Sequence, residues 1–102
     1  MALSQHQLTV SVETVYLSTG ISAVTGLYLV NLSASAVTVS VYLVRDSDSA
    51  SATNTVYANY PVDADETVVL FSERVLLEAG DRLQASASAD SAVSATCVFT
   101  AL

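Results

Sequence analysis

The chain contains no lysine and no tryptophan, one cysteine, one histidine, and only three basic residues, Arg45, Arg74 and Arg82. DNA or RNA binding through a basic patch is thereby excluded, because phosphate contacts need clustered cations. Docking on an anionic membrane surface is disfavoured for the same reason. Cys97 alone cannot build an internal disulfide framework, so folding needs no oxidising compartment. The first seven residues, MALSQHQ, lack the basic and apolar regions of a signal peptide. No apolar run approaches the ~20 residues of a membrane helix. Synthesis and folding in a cytoplasm is the expectation. Charge of either sign is scarce: 13% of the residues are charged, against roughly 25% in an ordinary soluble domain. The formal net charge is −7, yet the acids are too dispersed for an acidic tail or a disordered segment.

What is present is alternation. Through residues 37–44 valine and leucine alternate with small hydroxyl residues and no charge interrupts them. A length of 102 residues leaves room for one domain. Over half the chain is apolar, mostly valine and alanine, with two phenylalanines. That composition makes a thin core between closely packed sheets. Period-2 alternation and turn punctuation mark eight strands, at residues 8–16, 23–32, 37–45, 55–60, 67–71, 75–77, 83–89 and 92–100. Gly26 marks a bulge in the second. Pro61 ends the fourth, and Gly80 takes positive φ in the turn after the sixth. The best helical stretch, residues 72–79, is too short. The predicted fold is all-β: a jelly-roll-like antiparallel β-sandwich of about eight strands over residues 8–102, preceded by an N-terminal arm, residues 1–7.

The strand 23–32 is apolar on both faces, Leu27 and Leu29 on one and Tyr28, Val30 and Leu32 on the other. A two-sheet sandwich buries one face of each strand, so the second face is expected to meet another chain, or a loop. The interface residues predicted on this basis are Tyr28, Val30, Leu32, Tyr42 and Val44.

No motif for catalysis or for a cofactor is present: there is no glycine-rich phosphate loop, no paired zinc ligands and no nucleophile elbow. His6 reads as a solvated arm residue. Cys97 alternates in phase with Val93, Ala95 and Phe99, which places it in the core as an unreactive thiol. The carboxylates at Asp46 and Asp48, and at Asp63, Asp65 and Glu66, lack the shaped loop that calcium requires. They read as solvated loops, with a cation at an intersubunit site as the alternative. The five tyrosines suit interfaces and sugar platforms alike.

Residues 27–44, LYLVNLSASAVTVSVYLV, place an apolar strand, an Asn and a Ser/Ala turn before a Thr/Val strand. In this they resemble small β-sandwich proteins of tailed-phage virions. The run 66–70, and then residues 75–88 with their Ala79-Gly80-Asp81 turn, match the usual second half of those proteins and recur in trimeric jelly rolls. The resemblance spans roughly residues 14–100 and leaves out the arm. It implies a non-enzymatic virion component assembled in the host cytoplasm. The leading reading is a capsid decoration (cement) protein, a homo-oligomer and usually a trimer, that binds the major capsid protein and stabilises the head. A neck, tail or fibre-associated component is the alternative, and a host-glycan-binding module a third. The motifs set turns and strands, so no functional residue is carried over from the family.

Overall fold

A computed structural model of the protein describes residues 2–71 and 74–102. Among the described residues nine strands follow in order: β1 (Ala2–Gln7), β2 (Glu13–Leu17), β3 (Ser22–Asn31), β4 (Val37–Val44), β5 (Thr55–Val62), β6 (Thr67–Leu70), β7 (Val75–Leu77), β8 (Arg82–Ala87) and β9 (Val93–Ala101). A single 3-10 turn at Ala52–Asn54 precedes β5, and the described residues contain no α-helix. One sheet has the order β1-β9-β3-β6, with β7 pairing the other end of β3; the second has the order β2-β8-β4-β5. Every pairing is antiparallel.

The pairings nest. β4 pairs β5, β3 pairs β6 and β7, β2 pairs β8, and β1 pairs β9. The chain is thus one long hairpin rolled over so that β3 also meets β9 and β4 meets β8. This is the jelly-roll order of a β-sandwich, and β6 and β7 act as two pieces of one edge strand.

The inner faces follow from the alternation. Leu27 and Leu29 of β3, Val39 and Val41 of β4, Leu83 and Ala85 of β8, and Val93, Ala95 and Cys97 of β9 are all buried. Gly26 marks a bulge, as its position in the sequence predicts: Val24 pairs Phe99 and Gly26 pairs Val98, which leaves Thr25 unmatched. Gly80 takes φ +90, and a Cβ there would meet Asp46 Cγ at 2.4 Å. Its amide donates to the Ser18 carbonyl at 2.8 Å. Both the conformation and the approach require glycine.

Three expectations are corrected. Residues 2–7 are not an arm outside the sandwich. They form β1, in register with β9 from Ala2↔Phe99 to Gln7↔Ser94. The predicted strand 8–16 is broken, because residues 8–12 carry the chain from one sheet to the other. There Thr9 O accepts from Ala87 N and Val10 N donates to Asp90 Oδ1. Those backbone groups bond to the end of β8 and to the loop after it rather than continuing the ladder with β9, and Val10 and Val12 end up exposed. Pro61 does not end the fourth predicted strand, since β5 runs on to Val62. Its partner Thr38 directs its amide and carbonyl to Ser88, so nothing in β4 asks for a donor from Pro61. The stretch 72–79, too short to be expected as a helix, includes Ser72 and Glu73, which lie outside the described residues; residues 75–77 form β7, with the bounds predicted for the sixth strand.

One buried polar residue ties the corners together. Asn31, at the end of β3, is fully buried. Its amide nitrogen donates to the carbonyls of Ser35 (2.8 Å), Val62 (3.1 Å) and Asp63 (3.2 Å). Its Oδ1 accepts from Ser33 N (2.9 Å) and Ser33 Oγ (2.8 Å). It thereby joins the β3–β4 turn to the end of β5. Asn31→Ala leaves these groups without a partner and should lower the unfolding free energy by about 2–4 kcal/mol. Urea unfolding followed by circular dichroism reads this directly.

Cys97 is fully buried, and burial pushes its thiol up to about 11. A thiol reagent should label it at the rate of unfolding in the native protein and at once in denaturant.

Candidate functional site

The two outer faces of the sandwich differ in chemistry. On the sheet β1-β9-β3-β6 one row across the outer face reads Gln5–Thr96–Tyr28–Val69, and the next Gln7–Ser94–Val30–Thr67. Leu3 and Val98 sit side by side at one end, and Leu32 follows β3 at the other. No Asp, Glu, Lys or Arg occurs in any strand of this sheet. Leu3 is 61% exposed, Tyr28 43%, Leu32 62% and Val69 57%. These are large apolar side chains on one surface with no charge among them, the kind of patch that marks an interaction site.

The outer face of the sheet β2-β8-β4-β5 is hydroxyl- and amide-rich. Thr38, Ser40 and Tyr42 line it on β4, opposite Ser86 and Gln84 of β8. Gln84 Nε2 donates to Thr14 Oγ1 at 2.9 Å. The charges lie mostly on the loops.

The five residues expected at an interface therefore do not form one surface. Tyr28, Val30 and Leu32 share the uncharged outer face. Tyr42 belongs to the opposite face of the sandwich. Val44 is 1% exposed and is not available to a partner of this chain. It pairs Arg82, whose guanidinium donates to the carbonyls of Arg45, Gly80 and Asp48, so the loop after β4 is tied down beside it. Sequence alternation along β4 placed Val44 on the outward side with Tyr42, and its burial depends on elements far away in the chain. The outward residues Leu3, Val69 and Leu76, which sequence reasoning did not single out, complete the apolar face.

His6 is not a solvated arm residue either. It sits on the inner side of β1, opposite Ala95, and its Nε2–H donates to Glu13 Oε1 on β2. Thr9 Oγ1 donates to Glu13 Oε2 at 3.2 Å. The pair clasps the edge strands of the two sheets together. The loop acids serve the backbone in part: Asp81 accepts from Asp46 N (3.1 Å) and from Glu78 N (3.0 Å). No cluster of three or more His, Cys, Asp or Glu suited to a metal exists among the described residues.

The tyrosines divide by environment. Tyr16 is buried, stacks on Phe99 with centroids 4.1 Å apart, and donates to Ser22 Oγ at 3.0 Å. Tyr57 meets Tyr60 and Phe71 edge to face, each at 5.7 Å. An open cleft of about 380 Å³ lies beside the β4–β5 loop, lined by Leu43, Arg45, Asp48, Asn54 and Val56 among others. No aromatic ring lines it, so it offers no platform for a sugar.

The clasp makes a pH prediction. The hydrogen bond from His6, followed by that from Thr9, holds the Glu13 carboxyl below its ordinary value of 4.5, against the opposing effects of desolvation and Asp90. A carboxylate lowered in the folded state stabilises it above the ordinary value and stops doing so as pH falls through the lowered one. Glu13→Gln should therefore lower the melting temperature near neutrality, and the gap from wild type should close as pH drops below 4.5. Calorimetry across that range checks it.

No family model matches the chain, and no curated protein and no solved structure matches it either.

Proposed function

We propose that the protein is a non-enzymatic virion structural component: a decoration or cement protein that self-associates and binds the assembled head of a tailed phage, adding stability to it. The observation that carries this reading is the uncharged outer face of the sheet β1-β9-β3-β6, with Tyr28, Val30 and Leu32 at its centre and end. A large apolar surface on a small, sparsely charged sandwich suits a subunit that works while covered. The resemblance of residues 27–44, 66–70 and 75–88 to small β-sandwich virion proteins supplies the setting. A component that binds only the assembled shell stabilises it by linkage.

Binding of this kind rests on apolar area, with charge as a minor contribution, so moderate salt should leave it intact. The test is co-sedimentation with empty heads of the phage whose genome carries the chain, followed by a heat-stability assay of those heads. Tyr28→Asp should weaken binding by roughly tenfold or more, the loss of a buried aromatic contact. Ser49→Asp, in the loop after β4, should leave it unchanged. A dispersed protein with no effect on heads argues against the reading, and labelling at the tail in electron micrographs moves the assignment to a tail or neck component.

A further inference from the structure

The sandwich has four edges, and three of them are blunted. β2 is five residues long and interrupted by a bulge between Thr14 and Tyr16. β5 carries Pro61, Asn59 at φ 50 and two register shifts against β4. The third, on the side of its sheet away from β1, is split into β6 and β7, of four and three residues, with Phe71 at φ 60 after the first. Bulges, prolines and short strands are how sheet edges avoid pairing with other chains. β1 has none of these. Its six residues pair β9 without a shift, and it contains no proline, no glycine and no Asp, Glu, Lys or Arg.

The direction of its free backbone groups follows from one bond. Leu8 N donates to Val93 O at 2.8 Å. In an antiparallel ladder the residues that point to the neighbour alternate. Ala2, Ser4 and His6 therefore turn their amides and carbonyls to β9. Leu3, Gln5 and Gln7 turn theirs outward, where the described residues offer no neighbouring strand. The same three side chains lie on the outer face of the sheet and are exposed.

We infer that β1 is a docking edge for a second copy of this chain, paired antiparallel to its own β1 about a two-fold axis at Gln5. In that register Gln5 faces the partner's Gln5, and Leu3 faces the partner's Gln7. The outward groups then make about six backbone hydrogen bonds, and the two uncharged outer faces merge into one.

Charge selects a second copy as the occupant. Each chain carries a formal net charge of −7, so two copies repel at most approaches. The β1 edge lets them meet with no carboxylate from either strand. Glu13, the carboxylate bonded to β1, is turned to His6 and Thr9 on the inner side. A cationic partner would be drawn instead to the acidic loops. The strand is also self-complementary: no like charges oppose one another, and Leu3 finds the aliphatic stem of Gln7. Such an interface is isologous and closes at two. It differs from the three-fold that the family resemblance implies, and it does not rest on binding to a phage head.

The test is sedimentation equilibrium on the full chain across a dilution series. The expected result is a reversible dimer, twice the 10.6 kDa of the chain. Gln5→Pro removes an outward amide that β9 does not use, and proline is tolerated at such edge positions. It should halve the mass while the β-type circular dichroism and the protection of Cys97 persist. Gln5→Lys, which puts like charges face to face at the axis, should do the same and covers the case in which the proline variant fails to fold. A wild-type chain that stays monomeric up to ~1 mM, a trimer mass, or a dimer that survives both substitutions overturns the inference. A loss of dimer with head binding retained would separate this edge from the proposed shell contact.

Discussion

The pairing of β3 with β9 is the interaction on which the rest of the sandwich depends. It joins residues 22–31 to residues 93–101 over the longest register in the protein. Without it β1 and β9 would not join β3, β6 and β7 in one sheet. With it, Leu27 and Leu29 from one strand and Ala95 and Cys97 from the other are brought onto a single inner face. β1 and the two short strands β6 and β7 then only need to add to an existing platform. The fold is costly to reach, because most of its contacts lie far apart in sequence and loop closure precedes their reward. Asn31 stands where β3 turns away from β9, and its bonds to Ser35, Val62 and Asp63 hold the corner that lets the second sheet begin.

The distribution of charge is the second constraint, and it follows from the first. Rolling a hairpin with few charged residues sends most of them to the turns, since the turns are where the sequence places Asp46, Asp48, Asp63, Asp65, Glu66, Glu78, Asp81 and Asp90. The strands of one sheet are left with none. The charge then lies mostly in the loops around the rim, while the broad face and the β1 edge remain neutral. That division separates two kinds of surface on one small body: a rim that repels other copies, and a face and edge that do not.

Much of the fold was legible in the sequence. The alternation at residues 37–44 and 83–87, the bulge at Gly26, the turn at Gly80 and the inward phase of Cys97 each rest on local rules of backbone geometry, and the structure follows them. The errors have a common origin. Residues 8–12 alternate like a strand, but Thr9 and Val10 bond to Ala87 and Asp90, which lie about eighty residues away. Residues 2–7 are short and mostly polar, and they become a strand because β9 offers them a ladder. Proline at 61 is harmless because Ser88 occupies its partner Thr38. In every case the deciding group comes from a distant part of the chain.

The candidate site shows the same boundary. Alternation alone determined that β3 has two apolar faces, and so that Tyr28, Val30 and Leu32 point away from Leu27 and Leu29. The low charge of the whole chain was also a property of sequence. Which sheet each strand joins was decided only in the tertiary structure. That assignment puts Tyr42 on the opposite face from Tyr28, buries Val44 beside Arg82, and draws His6 inward to Glu13. Side-chain direction is a local consequence of the pleat, with a period of two residues. The neighbour that a side chain meets is set by register and sheet order, which depend on pairings between residues far apart in the chain.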